Sequence, residues 1–256
     1  MHRTLFVAVY GEYPTKEILY RAMLPFHIYE ATGIEDYTIL EDRTKEMEED
    51  LELLRKSSPK ERSKRQCWID LSTHVYKSSE YIQGKGSVYF TRTNPDGKWD
   101  YYMLGGRYVT VYDELAGKPG PVYKKSDLDY KAYVEKQKPI LEQIQSELRE
   151  VSSRYCRDHK MTKSELLQPK NFREFAAQVE LYADPYSDRD LFLILEGKLA
   201  LEDIALKRYV PDDLLVLWKW YSHNDDMTYK AWHRQFFREW DKLSDDHYIA
   251  VVDYHC

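Results

Sequence analysis

Apolar positions along the chain follow two different periods. Residues 4–10 (TLFVAVY) and 247–254 (HYIAVVDY) are short runs that are apolar on successive positions, the first closed by Gly11. Runs of that kind predict strands covered on both faces, or central in a sheet with helices on one side. The two are expected to be neighbours in one sheet. Residues 42–56 carry a charged helical pattern, and 62–82 place Trp68, Leu71, Val75 and Ile82 at roughly helical spacing. Residues 87–93 and 99–113 read as two strands. Between them Asn94-Pro-Asp-Gly97 is a turn signal, because Pro fixes φ and Gly accepts positive φ, so a hairpin follows, with Gly105-Gly106 as a bulge or break. From Ser126, an N-cap candidate, to about Cys156 runs the strongest helix, with Ile140, Leu141, Ile144 and Leu148 as its stripe. Pro139 is expected to kink or split it. Residues 171–182 make a further amphipathic helix, 191–195 a short strand or buried helix turn, and Pro211-Asp-Asp opens a helical region to about Leu243.

These elements define an α+β fold: a mostly antiparallel sheet containing both terminal strands and a central hairpin, packed with helices, with a helical insertion in the second half. The expected division is a sheet core from 1–122 with 244–256, and a mainly helical subdomain from 123–243 packed on it as one globular unit.

Composition adds three constraints. Tyrosine is in excess, 23 against 8 Phe and 6 Trp, so much of the aromatic content has a polar tip suited to core edges, wet interfaces or stacking surfaces. The formal net charge of −6 removes the basic footprint that extended nucleic-acid binding needs. The acidic run 41–53 followed by the basic run 55–65 is most simply a solvated helix end and loop, with contact to an anionic partner as the alternative. Three widely spaced cysteines, Cys67, Cys156 and Cys256, fit neither a disulfide framework nor a paired-cysteine zinc module. With no signal peptide and no membrane-length apolar window, the expected location is the cytoplasm.

Candidate chemistry concentrates in residues 94–108, where Lys98, Asp100 and Arg107 stand among Trp99, Tyr101, Tyr102 and Tyr108. Strand alternation would put Lys98, Asp100 and Tyr102 on one face and Trp99 with Tyr101 on the other. Gly105 and Gly106 admit a close approach of backbone or ligand beside Arg107. An aromatic surface beside Lys and Arg suits a nucleotide, the ring stacking on the base and the cations meeting the phosphate. The equal alternative is a Trp-anchored hairpin with a surface Asp-Lys pair and a glycine bulge. The spacing matches neither a Walker loop nor a Rossmann fingerprint. Asp253 and His255, two apart, can share a strand face and so bind a metal or share a proton; His27 and Glu30, three apart, converge if helical. The HNDD run at 223–226 and Trp232-His233 read as helix boundary and helix surface. There is no nucleophile elbow, HExxH or kinase motif.

Three segments in order, LPFHIYEATG (24–33), NPDGKWDYYMLGGRY (94–108) and IAVVDYH (249–255), resemble a family of uncharacterised tailed-bacteriophage accessory proteins. The matching positions are His27, Glu30, Thr32, Gly33, Asn94, Lys98, Trp99, Asp100, Tyr102, Gly105, Gly106, Arg107, Asp253 and His255. Tyr101 and Tyr108 stand where that pattern has Trp, and Ala31 where it has Cys, which removes a catalytic cysteine. The resemblance does not reach residues 115–240. It implies a small accessory protein of the host cytoplasm, and joins three separate motifs into one expected polar pocket of His27, Glu30, Lys98, Asp100, Arg107, Asp253 and His255. Asn94, Trp99, Tyr102, Gly105 and Gly106 complete the expected ligand-binding set. Three functions compete: binding of a nucleotide or other phosphorylated small ligand, such as a host immune signal removed by sequestration; hydrolysis of a phosphoester or glycosidic bond; and inhibition of a host protein. For hydrolysis His27, Asp253 and His255 would act as acid and base, or would hold a divalent metal, the one cofactor candidate. An oligomer is compatible with each.

Overall fold

A computed structural model describes residues 1–28, 30–57, 79–82, 88–178, 187–224 and 226–256. In chain order its elements are β1 (His2–Tyr10), α1 (Lys16–Met23), β2 (Ile39–Asp42), α2 (Thr44–Ser57), β3 (Ser79–Ile82), β4 (Val88–Thr93), β5 (Tyr101–Leu104), α3 (Val109–Ala116) and β6 (Val122–Lys124). There follow α4 (Tyr130–Asp158), α5 (Lys163–Leu166), α6 (Pro169–Gln178), α7 (Asp188–Glu196), α8 (Leu201–Leu206), β7 (Asp213–Val216), β8 (Lys219–Ser222), α9 (Tyr229–Trp240) and β9 (His247–His255). Among the described residues no helix is long and apolar enough to cross a membrane. The chain forms two compact units: Met1, Thr15–Tyr102 and Tyr254–Cys256 in the first, His2–Pro14 and Met103–Asp253 in the second.

The second unit is built on a mixed sheet in the order β5-β9-β1-β7-β8, with β6 also pairing with β9. β1 and β7 are parallel, Phe6 opposite Leu214, while β6–β9 and β7–β8 are antiparallel. The end of β1 meets the start of β9, where the Gly11 amide donates to the Asp246 carbonyl at 3.3 Å. Its start meets the other end of β9, through His2 and Asp253, so β1 and β9 run antiparallel. Both are apolar on successive positions because both faces are covered: Leu5, Phe6 and Ile249 to Val252 are fully excluded from solvent. Phe6 packs against Tyr112 of α3, with ring centroids 4.7 Å apart, and against Phe236 and Trp240 of α9. Each fully buried side chain of this size contributes about 1.5–3 kcal/mol. Among the described residues, six of the 23 tyrosines enter this core, and three of their hydroxyls are satisfied there: Tyr130 donates to the Tyr209 carbonyl, Tyr123 to Asp113 and Tyr209 to Glu114, each at 2.7 Å.

The first unit contains α1, α2 and a small antiparallel sheet in the order β2-β4-β3. Its anchor is Trp99, 2 % exposed, whose indole N–H donates to the Met23 carbonyl at 2.9 Å.

The α+β class and the shared sheet of the terminal strands are as the sequence predicts. Several elements differ. The expected hairpin separates into arms with different partners, β4 pairing with β2 and β3, and β5 with β9. The cause lies just after the turn. The Lys98 and Trp99 amides both bond to the Phe26 carbonyl, at 2.7 and 3.3 Å, so the chain leaves the turn along residues 24–28 and not back along β4. The second arm ends at Leu104, and Gly105 and Gly106, both at positive φ, turn it into helical residues 106–116. Pro139 neither splits nor ends α4, which runs 29 residues. It stands on an exposed side, where the carbonyl that loses its N–H partner is within reach of solvent. The cap of α4 is Asp129, not Ser126. For residues 191–195 the second of the two expected alternatives holds: they are buried helix, within α7, which a Ser187–Asp190 capping box starts. Residues 213–222 form the β7–β8 hairpin and not a helix, because Leu214 and Leu215 are needed beside β1 in the core. His233 faces inward, 4 % exposed, and not onto the surface. Of the stretch 62–82 only 79–82 is described, and it is strand; the basic run after residue 57 and Cys67 lie outside the described residues, as do 179–182.

The turn of the β7–β8 hairpin has Leu217 at φ +47° and Trp218 at φ +65°, with exposures of 79 and 66 %. A two-residue loop of this hand favours Asn-Gly, because side chains with a Cβ clash there. Replacing Leu217-Trp218 by Asn-Gly is therefore expected to raise stability by about 1 kcal/mol, read as a higher urea midpoint with an unchanged slope. A lower midpoint would mean that the two side chains stabilise the fold.

Candidate functional site

The sequence-predicted residues fall into two groups, one in each unit. In the first unit, Trp99 holds its neighbours through backbone and ring contacts. A parallel bridge joins it to His27, and the Ile28 amide donates to the Trp99 carbonyl at 2.9 Å. The His27 ring, 4 % exposed, lies edge-to-face on the indole at 4.3 Å. Its Nδ1 accepts the Glu30 amide at 2.8 Å, which places the ring proton of the neutral imidazole on Nε2. His27 thus starts the 3-10 turn at Glu30–Gly33. Asn94 is similarly committed. Its amide group donates to the Pro25 and His27 carbonyls at 2.8 and 3.0 Å, while Oδ1 accepts from the Asp96 amide at 3.0 Å.

Around this frame are the groups open to chemistry. Asp100 and His255 form a carboxylate–imidazole pair, Oδ1 to Nδ1 at 2.9 Å, both partly exposed, and the Asp100 amide donates to the His255 carbonyl at 3.1 Å. Tyr102 packs edge-to-face on Trp99 at 5.2 Å, and burial pushes its phenol above the usual value. Trp99 and Tyr102 therefore share a side, contrary to strand alternation: 98–100 is a bridge and bend, and the regular ladder starts only at Tyr101. Glu30 is exposed and accepts the Tyr20 hydroxyl, which holds that phenol above its ordinary value. Lys98 is exposed and has no bonded partner among the described residues.

In the second unit the centre is Asp253, 6 % exposed. Oδ1 faces His2 Nδ1 at 2.9 Å; Oδ2 accepts from Arg107 Nε at 3.1 Å and from the Arg107 amide at 3.3 Å. A buried carboxylate requires such partners, since an uncompensated one costs several kcal/mol. The glycine pair now has a geometric reason. A Cβ on Gly106, at φ +51°, would stand 2.4 Å from the Asp253 Cβ, and one on Gly105 would stand 2.9 Å from Pro121. Arg107 spends its Nε on Asp253, while its two terminal nitrogens have no partner among the described residues and its side chain is 55 % exposed. Tyr108 lies beside it, its phenol raised mainly by burial and further by the nearby Asp212 and Asp253 carboxylates.

The same sheet end holds groups that sequence reasoning missed. Arg3 Nε meets Asp213, a fully buried carboxylate, at 2.9 Å and its Nη2 donates to the His223 carbonyl at 2.6 Å. Asp213 also accepts Trp220 Nε1 at 3.2 Å, and Asp212 accepts the Thr4 amide at 2.9 Å. The only sequence signal was charge at the margins of apolar runs: His2-Arg3 before β1 and Asp212-Asp213 before β7. Among the described residues no group of three or more His, Cys, Asp or Glu side chains is placed to hold a metal ion.

No protein-family model, curated protein or solved structure matches this chain.

Gly106→Ala forces the clash with Asp253 and strains the backbone. It is expected to destabilise by about 2 kcal/mol or more, as a lowered urea midpoint. A stability within about 0.5 kcal/mol of wild type would show that Asp253 can leave its position freely.

Proposed function

We propose that this protein binds a phosphorylated small molecule, a nucleotide or a related signal, with Arg107 as the group that recognises the phosphate. The observation that carries this reading is the geometry of Arg107. Asp253 grips the guanidinium at Nε, Gly106 gives the clearance, and the two terminal nitrogens have no partner among the described residues. An arginine fixed at one edge loses little side-chain freedom when the other edge takes two phosphate oxygens. His2 and Tyr108 stand in the same unit as a second polar group and an aromatic wall. The resemblance to tailed-bacteriophage accessory proteins supports a counter-defence role in the host cytoplasm, in which the ligand is sequestered and not converted.

A second reading is hydrolysis of a phosphoester or glycosidic bond. Its support is the Asp100–His255 pair, in which a carboxylate meets an imidazole at 2.9 Å, the arrangement that orients a histidine base and fixes its tautomer.

Thermal shift against nucleotides and cyclic dinucleotides, followed by chromatography of the recovered ligand, separates the readings. At a hundredfold excess over Kd a ligand adds about 2.7 kcal/mol, or roughly 5–10 °C for a chain of this size. Arg107→Ala is expected to abolish the shift, Arg107→Lys to retain part of it, and the ligand to return intact. A cleaved ligand, with activity lost in His255→Gln, would establish the hydrolase instead. No shift with any ligand would favour a protein inhibitor, and a full shift in Arg107→Ala would remove Arg107 from the site.

A further inference from the structure

The second unit has a cavity of about 210 Å³, away from Arg107 in sequence, at the end of α8. Its apolar base is Ile204 and Ala205, each 2 % exposed. Its aromatic wall is Tyr133 and Tyr209, with ring centroids 4.3 Å apart. Lys207 and Arg208 supply two cations against one carboxylate, Asp190. Size suggests the part that enters: an apolar cavity of about 150 Å³ accepts a benzene ring, so this one, of about 210 Å³, accommodates a single ring with a small substituent.

Polarity decides the substituent. Two acceptors at the cavity are already used. Asp190 takes the Ser187 amide and hydroxyl at 3.1 and 2.7 Å and the Lys207 ammonium, while the Tyr209 carbonyl takes the Tyr130 hydroxyl. The Tyr209 hydroxyl is spent on Glu114. The donors are in surplus. Lys207 gives one of its three N–H groups to Asp190 and otherwise lies over the Tyr229 ring. Arg208 is exposed, lies over the Tyr209 ring at 5.9 Å, and has no acceptor among the described residues. A site with a dry base, tyrosine rings and unspent cationic donors matches one class of ligand. We infer that this cavity binds a single-ring aromatic anion, its ring against Tyr133 and Tyr209 and its carboxylate or phosphate on Arg208 and Lys207.

Phenyl phosphate is the probe, titrated by calorimetry and by amide chemical shifts, with benzyl alcohol and inorganic phosphate as controls lacking the charge and the ring. Binding is expected with shifts at Ala205 and Tyr209, and with each control at least about tenfold weaker, the loss of one charge-assisted contact or of the ring. Arg208→Gln, an exposed change outside the core, should weaken phenyl phosphate about tenfold or more. Arg107→Ala should leave it unchanged, so this site is tested independently of the phosphate site proposed above. Absence of binding, equal binding of benzyl alcohol, or full affinity in Arg208→Gln would each overturn the inference. So would loss of binding in Arg107→Ala with Arg208→Gln unaffected.

Discussion

A carboxylate buried on the last strand sets the terms for much of the second unit. Asp253 follows four residues fully excluded from solvent, and it cannot join them in the interior without compensation. The required counter-groups come from distant parts of the chain: His2 from the first strand, Arg107 from the turn after β5. Gly106 exists at its position because that turn passes over the carboxylate with no room for a Cβ. Strand, glycine, arginine and histidine are consequences of one demand, that a buried charge be paired.

The same logic recurs at the other face of that sheet end. Asp213 is fully buried and held by Arg3 and the Trp220 indole. Two buried carboxylates with two arginines therefore stand at one end of the sheet. The difference between them is what remains over. Arg3 has its Nη2 engaged by backbone carbonyls, whereas the Arg107 terminal nitrogens have no partner among the described residues. In the helical part of the unit the bias is similar, toward unspent donors at Lys207 and Arg208, in a chain whose net charge is −6. Local donor surplus, and not overall charge, is what prepares such a surface for anions.

In the first unit the organising contact is hydrophobic. Trp99 is buried between the bridge to His27 and the Met23 carbonyl, and Asn94 locks the turn before it to the same segment. That segment is what draws residues 98–100 out of the hairpin that local turn chemistry favours. The Asn-Pro-Asp-Gly turn forms, with the Gly97 amide on the Asn94 carbonyl at 3.0 Å, yet its two arms do not pair. The reversal of direction was set locally, and the partner was chosen by burial of one indole.

What the sequence alone determined is what depends on neighbours in the chain. Successive apolar residues at both termini require covered strands, and the stripe of Leu141 and Leu148 marks the long helix α4. The odd character of residues 94–108 was also legible, since two adjacent glycines beside an arginine have few purposes. Tertiary structure alone decided which partners those residues meet. Asp253 and His255, two apart, were read as one pair; in the structure Asp253 is matched with Arg107 and His2, and His255 with Asp100. His2, Arg3 and the Asp212-Asp213 dipeptide carry no motif, because their role arises only when β1, β7 and β9 are brought together. A charge at the edge of an apolar run is solvated in the chain and buried in the fold, and only the fold supplies its counter-charge.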